Sequence, residues 1–184
     1  CLTSLKDPED TRALGPNEQG AHEGTMRDIS GNDWVIVRGL ALFSGLADVT
    51  LRRLLSHAVI QSVPEGTIVF HQDDPAKVFY AVLQGWVTLT RESAEGNPTV
   101  IGVFAMGESF AEAAILSSQR YPVTAKVVED ARLLAIPANE FLNHLRNDAE
   151  MALNMLASMS RHMRHLVTQI EQQRAKSAPQ RLGD

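Results

Sequence analysis

Gly107-Glu108-Ser109-Phe110-Ala111-Glu112-Ala113-Ala114, continuing through Arg120-Tyr121-Pro122-Val123-Thr124-Ala125, is the stretch around which the rest of the chain is organised. It joins an apolar run ending in Val103-Phe104 to another that starts near Val123, so it reads as a loop between two strands. Its small side chains let backbone N–H groups come close to a ligand. A run of amides leading into a short helix makes a concavity suited to an anion. Glu112 adds an acceptor of fixed charge, matched to a hydroxyl or amine on whatever the amides hold. The competing reading is a strand corner whose Gly, Ala and Ser are small because packing is tight.

Outward from this loop, short β-rich runs recur at 59–63, 67–70, 78–83, 86–91, 99–104, 123–128 and 132–136. Pro64, Gly66, Gly85, Gly96 and Gly107 punctuate them, a pattern of sandwich or barrel rather than of alternating strands and helices. Gln84-Gly85 predicts a tight hairpin and Ala94-Glu95-Gly96-Asn97 a longer one. Before the strands, Asp48 is the expected N-cap of a short helix with Leu51, Leu54, Leu55 and Ala58 on one apolar face. His57 falls near its end, where a cation suits the helix dipole. The apolar residues of Asp33-Trp34-Val35-Ile36-Val37 are expected to cover the barrel or to cap the long helix.

Pro137 suits the first helical position of a short helix over 138–145. The longest regular element follows, over 148–176. Along it Ala152, Leu156, Met159, Met163, Leu166, Ile170 and Gln173 are spaced 4, 3, 4, 3, 4, 3, a heptad seam. Such a seam predicts a homodimer with Leu156, Met159, Met163, Leu166 and Ile170 at the interface. The same helix is also expected to lie on its own barrel through residues such as Leu153 and Val167. Methionines 151, 155, 159 and 163 recur every four residues, a stripe that reads as packing.

Composition sets limits. A net charge of −5 argues against a large basic footprint, so nucleic acid is not gripped by this segment alone. The single cysteine, Cys1, excludes an intramolecular disulfide framework and an iron–sulfur cluster. No apolar run approaches the ~20 residues of a membrane-spanning helix, and the cytoplasm is the expected location. Residues 1–32 show no hydrophobic period and are read as a disordered or non-domain segment, with Met26 a candidate start. A lipoprotein beginning at Cys1 is the lesser reading, since no signal segment is visible. No serine or cysteine is partnered with a histidine at a recognisable spacing, and Glu108 and Glu112 make no convincing acid–base pair, so the chain is not read as an enzyme. A cupin-type metal site needs several histidines in the barrel, and the strands supply only His71.

Several motifs, in order, carry a resemblance: Pro64-Glu65-Gly66; Phe70-His71-Gln72-Asp73-Asp74-Pro75-Ala76; Phe79-Tyr80-Ala81-Val82-Leu83-Gln84-Gly85 leading into Val87-Thr88-Leu89; and Gly107-Glu108-Ser109-Phe110-Ala111-Glu112. From about Leu40 to Asp184 the chain resembles the sensor half of a Crp/Fnr-type regulator. The resemblance implies a mainly β fold with α, a double-stranded β-helix (jelly-roll, cyclic-nucleotide-binding-like) followed by a long dimerisation helix. It divides the chain into the segment 1–32, a sensor domain over 33–147, the dimer helix over 148–176, and a hinge over 177–184 toward an absent C-terminal helix-turn-helix domain that contacts DNA. A stand-alone module regulating a partner protein is the alternative. Asp73 stands where the family usually has glycine, and aspartate tolerates the left-handed turn.

The resemblance also implies effector-binding residues: Gly107, Glu108, Phe110, Ala111, Glu112, Ala113, Thr124 and Ala125. In cyclic-nucleotide binders of the family, the glutamate matching Glu112 holds the ribose 2′-hydroxyl. An arginine before a Ser/Thr-Ala pair neutralises the phosphate. Here Thr124-Ala125 fills the pair, but Val123 takes the arginine position and Ala111 a usual glycine, so a cyclic nucleotide is disfavoured. The branch that regulates denitrification and responds to nitric oxide through haem has a loop similar to Phe110-Ala111-Glu112-Ala113 and Tyr121 to Ala125. Haem is therefore a candidate cofactor and a small molecule or gas the expected effector. No histidine lies in Arg38-Gly39-Leu40, where that branch offers iron ligands. His71, His162 and His165 are the remaining candidates, against the commoner fate of surface or hydrogen-bonded histidine.

Overall fold

Two long strands organise the molecule. The computed structural model describes residues 24–25, 29–92 and 98–176. Its elements, in chain order, are β1 (Gly24–Thr25), α1 (Gly31–Gly39), α2 (Asp48–Leu54), β2 (Val59–Val63), β3 (Ile68–Phe70), β4 (Val78–Glu92), β5 (Pro98–Phe104), β6 (Ser109–Phe110), α3 (Glu112–Leu116), β7 (Thr124–Pro137), α4 (Ala138–Asn147) and α5 (Ala149–Lys176). All strand pairs are antiparallel. β4 and β7 pair from Val78 opposite Pro137 to Thr90 opposite Thr124. One half of β7 also pairs with β2, the other with β3, while β4 carries β5 and β6. Each long strand thus serves both layers, and the rolled, jelly-roll architecture expected from the sequence is present.

The corner lies at Gly85, and here two expectations are corrected. Gln84-Gly85 is not a hairpin: β4 runs straight through it, so the expected strands 78–83 and 86–91 are one. Likewise the strands expected at 123–128 and 132–136 are the single strand β7. The register slips between the pairs Gln84–Arg132 and Trp86–Glu129, leaving Asp130 and Ala131 opposite Gly85 alone. Gly85 has φ +81°, and a Cβ there would lie 2.4 Å from the Asp130 carbonyl oxygen. Glycine is needed for close approach of two backbones in a bulge, not for a chain reversal. The second expected hairpin, 94–97, lies outside the described residues.

Along the far half of β7, Leu133, Leu134, Ala135 and Ile136 are all buried, so both faces of the strand are covered. Phe79 of β4 and Phe141 of α4 meet edge to face at 4.8 Å, both fully buried. Leu51, Leu54, Leu55 and Ala58 are buried as one face, as expected. The helix N-termini differ by one position from expectation: Ala47 caps α2, leaving Asp48 free to pair with Arg38 at 3.1 Å, and Pro137 caps α4 rather than opening it.

α1 covers the sheet through Val37, with Trp34 and Ile36 half-buried against the core and Val35 exposed. A reciprocal cap holds its start, with Ser30 Oγ accepting from the Asp33 amide and Asp33 Oδ2 accepting from the Ser30 amide. Asp33 also takes both guanidinium nitrogens of Arg132 at 2.9 Å, fastening α1 to β7.

Asp148 starts α5, its Oδ1 accepting from the Met151 amide at 2.9 Å. Met151 and Met155 pack into the core, whereas Leu153 and Val167, expected on the barrel, are exposed. Leu156, Met159 and Met163 are exposed as well. The side chains of Leu166, Ile170, His162 and His165 lie outside the described residues, as do residues 1–23, 26–28 and 177–184.

Candidate functional site

The loop between β5 and β7 is assembled by pairing with β4 and with the turn 71–76. Gly107, at φ +87°, donates its amide to the Val82 carbonyl at 2.9 Å, and Val82 returns a bond to the Glu108 carbonyl at 2.9 Å. Glu108 closes its own turn, its carboxylate accepting from the Ala105 amide at 2.8 Å. The amides of Gly107 and Glu108 are thus engaged with backbone carbonyls rather than presented to a ligand. β6 then lays Ser109 and Phe110 opposite Ala81 and Tyr80.

Ala111 caps the five-residue α3 with φ +71°, a left-handed conformation that disfavours a side chain and explains why a small residue stands there. Gln119, at φ +56°, closes the same segment. Glu112 opens α3. Its Oε1 accepts from the Ser109 hydroxyl at 3.4 Å, and its Oε2 is buried without a partner. Burial pushes the Glu112 carboxyl above the usual range, opposed by its own backbone amide and the Ser109 hydroxyl. Ala113 is exposed beside it.

On the opposite wall, Asp73 keeps the left-handed turn at φ +68° and donates its amide to the Tyr121 carbonyl at 2.8 Å. Thr124 Oγ1 accepts from the Gln72 amide at 3.0 Å, and Ala125 is fully buried between Phe70 and Leu89. Val123 is buried. Arg120 is exposed, its guanidinium bonded to the Asp73 carbonyl.

Between the walls lies an aromatic stack that the sequence reading did not identify. Phe70 and Tyr121 are parallel at 3.7 Å, Tyr80 and Phe110 at 5.4 Å, and Phe104 leans on Phe110 at 5.6 Å. The Tyr121 hydroxyl donates to the Val78 carbonyl at 2.6 Å, and burial raises its pKa. Aromatics at 70, 80, 104 and 110, on four strands bordering the loop, and at 121 just ahead of β7 were the available signal.

Two further groups are resolved. His57 is exposed, 3.8 Å from Glu140, and the His71 amide donates to Asp74 at 3.0 Å. Among the described residues no three His, Cys, Asp or Glu side chains are grouped to hold a metal ion.

The family model for the cyclic nucleotide-binding domain matches residues 60–148, which run from β2 through β7 and α4 and include this loop. Over these residues the chain is similar to a cyclic nucleotide-binding domain, and the relatives support the resemblance to Crp/Fnr-type regulators. Similar to the chain are the cyclic AMP receptor protein of Thermus thermophilus, 30% identical over 70% of this chain and 59% of the relative, and two solved structures. One is a regulatory protein of Silicibacter pomeroyi DSS-3 assigned to cAMP binding (35% identity, TM-score 0.71, 78% of this chain and 66% of that one). The other is DNR from Pseudomonas aeruginosa (28% identity, TM-score 0.70, 76% and 62%). The chain spans roughly six-tenths of these relatives. The chain is also similar to the lysophospholipase nte1 of Aspergillus oryzae, 27% identical over 64% of this chain but only 8% of that protein. No helix among the described residues is long and apolar enough to cross a membrane.

Proposed function

We propose that the chain is the effector-sensing and dimerisation part of a cytoplasmic transcriptional regulator, not itself an enzyme. The observation that carries this reading is the course of β7. One strand begins at Thr124, in the candidate effector wall, and ends at Pro137, which caps α4 and leads through Asp148 into α5. An effector held by residues 107–125 acts on that strand, and the strand acts on the helix. Dimer contacts along α5 then transmit the change to helix-turn-helix domains that bind DNA and are not included in this sequence. In this reading 33–147 is the sensor, 148–176 the dimer helix and 177–184 a hinge, while the expected non-domain segment 1–32 is corrected at its end, because Ser30 caps α1 from Gly31 and Gly24–Thr25 pair with β2. The effector is a small molecule or gas. Haem is a reading that absorption spectroscopy during haem titration tests directly.

The dimer seam is supported by Leu156, Met159 and Met163, apolar residues of α5 that are exposed where Met151 and Met155 are buried. The double variant Leu156→Glu, Met163→Glu puts like charges into that seam. Association is expected to weaken by about 100-fold or more, turning a dimer into a monomer in sedimentation velocity. A variant that still sediments as the wild type places the interface elsewhere. A stand-alone module regulating a partner protein is the second reading, favoured by Val100, Ile101 and Val103, exposed on the edge strand β5.

A further inference from the structure

We propose that the cleft between α1 and α2 is a binding site for a small monocarboxylate, separate from the loop 107–125 and independent of what that loop holds. Ile29, Ser30, Gly31, Trp34 and Arg52 line it, around about 130 Å3 of open space. At roughly 30 Å3 for a water molecule, that is room for about four waters or for a ligand of about five or six heavy atoms.

The donors of this cleft are unfilled and its acceptors are taken. Arg52 lies over the Trp34 ring, its guanidinium carbon 4.4 Å from the ring centre, and among the described residues no carboxylate pairs with it. Arg38 and Arg53, on the same two helices, are each matched, by Asp48 at 3.1 Å and Asp148 at 3.2 Å. Stacking fixes the guanidinium plane and leaves its N–H groups unused, so the fork is held ready for a carboxylate. Trp34 Nε1 is buried without a partner, and an indole N–H only donates. On the acceptor side, the Ser30 carbonyl takes the Trp34 amide at 3.0 Å and Ser30 Oγ takes the Asp33 amide at 3.1 Å. The Asp33 carboxylate is held by both outer guanidinium nitrogens of Arg132, so its charge is matched and that of Arg52 is left over. An oxyanion answers both the free charge and the free donors. Ile29 and the indole add an apolar wall, which suits a short hydrocarbon chain and not phosphate, all of whose oxygens need donors or water.

Butyrate and inorganic phosphate are the probes. The chain has two tryptophans, so Trp86→Phe, on β4 and outside the cleft, leaves Trp34 as the one indole. In the full chain with that change, at constant ionic strength, butyrate is expected to alter the emission saturably with half-effect at about 1 mM, and phosphate to need about tenfold more. The indole N–H resonance is expected to move downfield over the same range as Nε1 gains an acceptor. Arg52→Gln is expected to weaken butyrate about tenfold or more, and an unchanged urea midpoint shows that this exposed position is not needed for folding. No saturation below about 100 mM butyrate overturns the proposal, and so does an undiminished response in Arg52→Gln. Phosphate binding as tightly as butyrate overturns the ligand class. Saturating emission with a motionless indole resonance puts the carboxylate elsewhere and overturns the site.

Discussion

Arg132→Met is expected to lower stability by about 3–5 kcal/mol, read as an earlier midpoint in urea denaturation at neutral pH. The reason lies in which partner is left behind. The Asp33 side chain is 3% exposed and that of Arg132 is 36%, so removing the arginine strands a buried carboxylate with only Ser30 to bond it. Asp33→Asn costs less, because the abandoned guanidinium still reaches water. The pH dependence supplies a second reading of the same pair. In the wild type the Arg132 bonds outweigh burial and hold the Asp33 carboxyl below its usual value. The pair's contribution is therefore full above the unfolded carboxyl pKa of about 3.9 and is lost as pH falls through the lower folded value. In Arg132→Met the guanidinium no longer lowers the Asp33 carboxyl and only the Ser30 bonds oppose burial, so the acid-side loss of stability becomes shallower than in the wild type. Parallel slopes in the two proteins would rule out the pair as the main stabilising contact of α1.

Gly85→Ala is the second large effect, about 3–5 kcal/mol by the same denaturation measurement. A Cβ there meets only backbone: the Asp130 carbonyl oxygen at 2.4 Å, the Ala131 Cα at 2.8 Å and the Glu129 carbonyl oxygen at 2.8 Å. None of these can rotate away as a side chain would. Gly107→Ala is the matched control, since Gly107 has a similar φ of +87° but no atom within 4 Å of the added carbon. It incurs only the left-handed conformational cost, about 1–2 kcal/mol. The difference between the two variants isolates the backbone contact at the corner. Equal losses would mean that the backbones of β4 and β7 do not meet closely at the bulge.

These two sites also mark where the sequence stops being informative. The strand at Val59–Val63 was legible to the residue because its β-branched residues form a local run bounded by Ala58 and Pro64. Gly85 was legible as a special position, but a left-handed glycine serves a hairpin and a bulge equally. Only the partner strand, 43 residues later in the pairing Trp86–Glu129 and 48 in Gln84–Arg132, decides between them. Asp33 and Arg132 are 99 residues apart, and no periodicity links them. Ser30 and Asp33, three apart, did offer a helix-start signal. At the candidate site Glu112 was legible as an acceptor and Ala111 as a position suited to glycine. The capture of the Gly107 amide by Val82 was not, because it depends on how β4 passes the loop. The heptad spacing on α5 singled out Leu156, Met159 and Met163, all exposed. Spacing alone misassigned Leu153 and Val167, since it cannot tell which methionines turn toward the barrel.

The placement of β7 also governs when the protein can fold. It is the last strand among the described residues, and β2, β3 and β4 all pair with it, Val59 with Ala135 across 76 residues. Before β7 leaves the ribosome, the main sheet can close little beyond β4 with β5 and β6. The nascent chain must therefore keep a long apolar β4 unpaired along most of one edge until synthesis has passed Pro137. Such distant pairing makes closure slow, in the range of milliseconds to seconds, and the waiting species prone to self-association. A chain stalled or cut just ahead of Thr124 is then a substrate for chaperones rather than a smaller folded domain.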